Sequence, residues 1–362
     1  MAKKLKLAIL GSVGVPANYG GFETLADKLV THLSEQLDIT VFCSGLQYSK
    51  KLKEYKGAKL EYIGLSANGI QSVPYDIISI RKAYNEHDIL LILGVAGMIS
   101  MPLLKLRKAK PKIIVHIDGM EWKREKWKWF AKLYLRSSEK LGILISNRVI
   151  ADNQAILDYL PKKIKKKTSM IAYGGDHAVY EPKDVNLLKR LEIKQNVPYA
   201  FSVCRIVPEN NIKTILKAFR ALKKELVLVG NWYDSNYGIE IWREFHQEPT
   251  INLIHPIYNQ SSLDSLRSNC EIYIHGHSAG GTNPSLVEAM YLGLPILCFD
   301  VSFNRNTMGG RGNFFKDEDS LIKLLQKNTF DNELISFHKS YAKEHYTWES
   351  IASQYYNLFT EL

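Results

Sequence analysis

Short apolar runs alternate with stretches whose apolar positions recur every three or four residues, from one end of the chain to the other. Residues 6–10, 38–43, 59–63, 89–93, 112–118, 148–153 and 169–174 read as one series of strands. Residues 199–205, 225–230, 251–257, 271–274 and 295–300 read as a second. The stretch after the first strand puts Phe22, Leu25, Ala26, Leu29, Val30 and Leu33 on one helical face. Strand–helix alternation of this kind predicts α/β layers with parallel sheets. The Gly174-Gly175 pair between the two series marks a hinge, which divides the chain into residues 1–174 and 175–345. A last amphipathic segment, 346–362, opens with Thr347 as its helix cap.

The chemistry concentrates in residues 275–290, His-Gly-His-Ser-Ala-Gly-Gly-Thr-Asn-Pro-Ser-Leu-Val-Glu-Ala-Met. A strand precedes this stretch and another follows it. Leu286, Ala289 and Met290 share a helical face, and Pro284 suits the first turn, where its missing N–H costs nothing. A glycine-rich loop running into a helix N-terminus binds anions, phosphate above all. Glu288, one turn further in, is placed to accept hydrogen bonds from a ribose diol. An ordinary strand–loop–helix turn is the competing reading.

Two other places draw attention. Gly20 and Gly21, at the start of the first helix, allow close backbone approach to a ligand, although the spacing is not the dinucleotide G-x-G-x-x-G. A plain tight turn explains them equally well. The end of the 112–118 strand gathers His116, Asp118 and Glu121, and open α/β sheets bind ligands beyond the carboxyl ends of their strands. Structural roles are the alternative there.

Length suits two domains with substantial cores. Cys43, Cys204, Cys270 and Cys298 lie in or beside apolar runs without a C-x-x-C pair, which predicts reduced thiols in a cytoplasmic protein. The basic, apolar N-terminus imitates a signal peptide, but a first strand feeding a glycine turn is preferred, with no cleavage. The 16 residues from Ile89 to Leu104 are too short, and too interrupted by Gly and Pro, to span a bilayer. Net charge is +11 and unevenly placed: residues 1–175 carry +14 and the remainder −3. No nucleic-acid motif accompanies the basic half, so an anionic membrane surface is the expected partner. Residues 122–136 mix Trp122, Trp127 and Trp129 with Lys123, Arg124, Lys126 and Lys128, the composition of an interfacial helix. A docked helix with a solvated basic face is the bland alternative.

Pro284-Ser285, Glu288-Ala289-Met290 and Gly293-Leu294-Pro295 resemble the donor-nucleotide motif of family 4 glycosyltransferases, retaining enzymes of the GT-B fold. The resemblance implies two Rossmann-like domains facing a central cleft, with a C-terminal helix crossing back to the N-domain. It implies a donor site built from Gly20, Gly21, Arg205, Gly281, Thr282, Asn283, Pro284, Ser285, Leu286 and Glu288, with Arg205 on the diphosphate. The family's motif has two glutamates, of which Glu288 matches the second while the first falls at Gly280, and it has a lysine where this chain has Asn210, so both donor-side positions depart from the pattern. His116-Ile-Asp-Gly-Met-Glu-Trp-Lys-Arg124 and Tyr19-Gly-Gly-Phe-Glu-Thr24 resemble a rhamnosyltransferase subgroup. That implies dTDP-L-rhamnose as donor and a polyprenyl-diphosphate-linked saccharide as acceptor, in cell-surface polysaccharide synthesis on the inner face of the plasma membrane. Asp118 would act on the acceptor, with His116, Glu121 and Tyr19 beside it. No metal or other cofactor is implied, and no Asp-x-Asp motif is present. A nucleotide-sugar 2-epimerase of the same fold, a Rossmann dehydrogenase and a non-catalytic partner subunit are the rival readings.

Overall fold

The computed structural model describes residues 4–17, 20–117, 119, 122, 128–327 and 330–362. It divides into two compact units, Met1–Tyr173 with Trp348–Leu362, and Gly174–Thr347.

The first unit holds β1 (Lys6–Leu10), α1 (Gly20–Leu33), β2 (Asp38–Ser44), β3 (Glu54–Tyr55), β4 (Ala58–Ile63), α2 (Ser72–Ala83), β5 (Ile89–Leu93), α3 (Met101–Leu104) and β6 (Lys112–Ile117). It continues with α4 (Trp129–Ile145), β7 (Arg148–Ala151), α5 (Gln154–Tyr159), α6 (Lys162–Lys165) and β8 (Thr168–Met170). The sheet order is β3-β4-β2-β1-β5-β6-β7-β8, and every pairing except β3–β4 is parallel. β1 shows why such strands read as unbroken apolar runs. Leu7 and Ile9 enter one core while Ala8 and Leu10 enter the other, on opposite faces of the same strand.

The first core is closed by α1 through Leu25, Ala26, Leu29, Val30 and Leu33. The C-terminal helix also enters it, through Trp348, Ile351, Tyr355, Leu358 and Phe359.

Two local readings are corrected. The series of strands read from the sequence omits β3, which pairs back on β4 through Lys56 and Gly57 at φ 47° and 83°. Positive φ at both central residues is what a two-residue hairpin turn requires. The helix expected over 122–136 begins at Trp129 and runs to Ile145, because Lys128 is extended and Leu135, Ser138, Gly142 and Ile143 supply a later buried face.

The second unit holds α7 (Val185–Arg190), β9 (Ala200–Val203), α8 (Ile212–Leu222), β10 (Leu226–Val229), α9 (Asn236–Phe245), β11 (Ile251–Ile254), α10 (Gln260–Ser268) and β12 (Ile272–His275). After these come α11 (Pro284–Leu292), β13 (Ile296–Phe299), α12 (Ser302–Thr307), β14 (Asn313–Phe315), α13 (Glu318–Lys327) and α14 (Asn332–His345). The last helix, α15 (Trp348–Thr360), returns to the first unit. The second sheet is parallel throughout, in the order β11-β10-β9-β12-β13-β14. From β9 the chain builds outward one way to β11, then jumps back to β12 and builds the other way. The reversal falls between β9 and β12.

Candidate functional site

A strand-order reversal opens a crevice outside the carboxyl ends of the two strands, because their loops leave in opposite directions. Here the loops are 205–211, after β9, and 276–283, after β12. They are bolted together. Ser278 donates from its backbone N and its Oγ to the Glu209 carbonyl, at 2.8 and 2.7 Å. Asn211 Nδ2 donates to the Gly276 carbonyl at 2.8 Å. A Cβ on Gly276 would stand 2.2 Å from the Asn210 carbonyl oxygen, so only glycine permits this approach. Arg205 projects from this junction and is exposed.

The structure changes the part played by several predicted donor residues. Asn210 is buried and its side-chain amide donates to the Arg205 carbonyl at 2.7 Å, so it braces the loop rather than facing a ligand. Asn283 caps α11: its Oδ1 accepts from the Ser285 N at 3.1 Å and the Ser285 Oγ at 2.8 Å. Its carbonyl accepts from the Leu286 N at 3.1 Å. With Pro284 lacking an N–H, the first-turn donors of Ser285 and Leu286 are therefore already occupied, and the Leu286 side chain is fully buried core. The approachable backbone lies earlier, at Gly280, whose φ is +131° and around which a Cβ would meet nothing within 4 Å. Gly281 and Thr282 follow it as buried residues.

Glu288 sits at the start of the second turn of α11, in a network that spacing alone did not reveal. Its Oε2 accepts from Arg267 Nη2 at 2.5 Å, and its Oε1 lies 3.0 Å from His177 Nε2. Arg267 also reaches Asp264 at 2.7 Å. Burial pushes the Asp264 carboxyl above its usual range, with Arg267 pulling the other way. Asp264 and Arg267 stand three apart on α10, a spacing visible in the sequence. His177, 111 positions from Glu288, carried no signal there.

In the first unit, Gly20 opens α1 at φ +83° with Gly21 next to it, and Glu23 pins the preceding loop by accepting the Val13 N–H at 2.7 Å. His116 is corrected from an acceptor-side role to a core one. Its ring is fully buried, edge-on to Phe22 at 5.3 Å and stacked on Tyr173 at 5.9 Å, with Nδ1 3.2 Å from the Tyr355 hydroxyl. Burial pulls its pKa down to about 3, so it stays neutral. Asp118, Tyr19, Glu121, Lys123, Arg124, Lys126 and Trp127 lie outside the described residues. Trp122 carries the Arg136 guanidinium over its ring at 5.0 Å, while Lys128 and Trp129 are exposed. No group of three or more His, Cys, Asp or Glu able to hold a metal ion occurs among the described residues.

Comparison with known proteins agrees with this architecture. Residues 185–344 match the family model described as "Glycosyl transferases group 1", and residues 4–176 match "Domain of unknown function (DUF1972)". No curated protein sequence matches the chain. Among solved structures, sucrose-phosphate synthase from Thermosynechococcus elongatus is similar at TM-score 0.82 and 15% identity, over 99% of both chains. HepE from Anabaena, in complex with UDP-glucose, is similar at TM-score 0.74 and 16% identity, over 99% of this chain and 100% of that one. MnaA of S. aureus, with UDP, is similar at TM-score 0.64 and 14% identity, over 98% and 95%. The two parallel Rossmann-like sheets are those of the GT-B fold. Together with the group 1 domain, they support a glycosyltransferase of GT-B type.

Proposed function

We propose that the chain is a retaining hexosyltransferase that moves L-rhamnose from dTDP-L-rhamnose to a polyprenyl-diphosphate-linked saccharide, working from the cytoplasmic face of a membrane. The observation that carries the donor side is the junction of the β9 and β12 loops, where exposed Arg205 and the open backbone at Gly280 lie at the strand-order reversal. As the anomeric bond breaks, negative charge collects on the departing diphosphate. A fixed cation and N–H dipoles aimed at that charge lower the barrier, because they need no reorientation when it forms. Arg205 is the cation in this reading, and Glu288 holds the ribose hydroxyls. HepE, similar in fold, is a UDP-glucose complex, which supports a nucleotide-sugar as the donor class. The choice of rhamnose and of a lipid-linked acceptor rests on the motifs around residues 19–24 and 116–124.

Peripheral attachment is supported by the surface of the first unit. Leu103, Leu106 and Leu144 are exposed, and so are Trp129, Phe130 and Leu133. Lys105, Arg107, Lys108, Lys132, Arg136 and Lys140 lie among them in the sequence. Exposed apolar side chains ringed by cations suit an anionic bilayer. No described helix is long and apolar enough to cross one.

A panel of nucleotide-sugars, each offered with polyprenyl-diphosphate-linked saccharides, tests this reading, with products weighed by mass spectrometry. One added deoxyhexose from dTDP-L-rhamnose is the expected product. Transfer of a different sugar would overturn the donor assignment, and donor conversion without transfer would favour an epimerase.

A further inference from the structure

α11 is apolar where it meets its core: Leu286, Val287, Ala289 and Met290 are all fully buried. Glu288 interrupts this run, and an arginine and a second carboxylate accompany it. The Arg267 side chain is 1% exposed and that of Asp264 is 0%, so the guanidinium has left water entirely. A buried ion cluster is a poor way to stabilise a helix pair, since apolar residues of similar volume do as well or better. Packing alone gives no reason for three charges at this point.

Geometry supplies one. Arg267 Nη2 holds Glu288 Oε2 and His177 Nε2 lies against Oε1, so both carboxylate oxygens are held in place. A carboxylate presents about four acceptor sites, more than these two partners occupy. The Glu288 side chain remains 11% exposed, which gives a ligand access to it. A vicinal diol offers two hydroxyl donors with matching separation. The segment that brings His177 is itself seated on α11, since a Cβ on Gly175 would stand 2.7 Å from Val287 Cγ1.

We propose that Arg267, anchored by Asp264, is a positioning residue that holds the Glu288 carboxylate in a single orientation for the ribose hydroxyls of the donor, with His177 as its second support. The proposal rests on the nucleotide-sugar reading above. Arg267 acts through Glu288 and makes no contact with the donor itself.

Calorimetric titration of the full chain with UDP, dTDP and pyrophosphate tests it, because only the first two carry a ribose. Arg267→Gln should weaken UDP and dTDP about tenfold, the size expected for one charged hydrogen bond, and leave pyrophosphate unchanged. His177→Gln, a milder change at a partly exposed position, should do the same by about threefold. If Arg267→Gln does not fold, Asp264→Asn and His177→Gln carry the test. In a double-mutant cycle, adding His177→Gln or Arg267→Gln to Glu288→Gln should cost nothing more. Equal losses for UDP and pyrophosphate, or losses that simply add to that of Glu288→Gln, would overturn the positioning role. So would unchanged UDP affinity in both single variants. A wild-type chain that binds neither UDP nor dTDP would instead bring down the donor reading, and this proposal with it.

Discussion

Asn210 donates its side-chain amide to the main-chain carbonyl of Arg205 at 2.7 Å. Where family 4 enzymes have a lysine, this chain therefore places a neutral brace for the loop that carries its arginine. The loop is held still by this bond and by the two from Ser278 to Glu209.

Arg205→Ala should lower turnover about 10²-fold, or ~3 kcal/mol of transition-state stabilisation, with a loss of stability of no more than about 0.5 kcal/mol, as is usual for an exposed side chain. Asn210→Ala should show the reverse balance, with ~1 kcal/mol lost from stability and a smaller fall in turnover. Steady-state kinetics beside thermal melts separates the two. Turnover of Arg205→Ala within a few-fold of wild type would place the diphosphate elsewhere.

The exposed leucines make a second prediction. Lys105 Nζ donates to the Ile145 carbonyl at 2.9 Å and Lys167 Nζ to the Ser146 carbonyl at 2.7 Å, which ties the residue after α3 and the residue before β8 to the end of α4. Burial, then the neighbouring Lys105, lowers the pKa of Lys167, so an anion there would relieve two crowded cations. Each leucine entering the bilayer contributes about 2 kcal/mol and each nearby cation about 1 kcal/mol. Sedimentation with anionic vesicles should show salt-sensitive binding, reduced at least tenfold by Leu103→Glu with Leu106→Glu. Neutralising Lys123, Arg124, Lys126 and Lys128 should reduce it as well. Binding indifferent to lipid charge would rule out this mode of docking.

Acid sensitivity follows from two buried histidines. Burial pulls His116 and His275 to about 3, against an ordinary value of 6.5. Below pH 6.5 the unfolded chain takes up protons at both and the folded chain does not, so stability falls as pH drops from 6.5 toward 3. Each contributes a slope of about 1.4 kcal/mol per pH unit. Asp76, raised to about 8 by burial, opposes them with one such slope, because the folded state keeps its proton there from pH 3.8 upward. His116→Gln should therefore flatten the acid limb by about 1.4 kcal/mol per unit, whatever it does to absolute stability. Denaturant titrations at pH 4.5, 5.5 and 6.5 measure the slope, and an unchanged slope would mean that His116 is solvated.

Periodicity is a local property, and what it specifies was legible along the chain. The strands Lys6–Leu10 and Ile89–Leu93 and the helix Pro284–Leu292 have the bounds their apolar patterns indicate. The division into two α/β series was equally plain, because alternation of strand and helix needs no knowledge of which strands are neighbours. The failures share one cause. The aromatic-basic residues after Trp122 drew the expected helix toward them, whereas the described helix is Trp129–Ile145 and its buried face begins only at Leu135. His116 looked like a ligand group because it ends a strand. Tyr355, 239 positions later, closes over it.

By itself the sequence determined the kinds of element, their order and the glycine-rich turn into α11, all set by residues within a few positions of one another. Only the tertiary structure decided that β12 lies beside β9, which places Arg205 next to the Gly280 loop, and that Arg267 and His177 converge on Glu288. Strand order and side-chain meetings depend on which buried faces pack together across the whole unit. That is a sum over distant contacts which no short window of the chain contains.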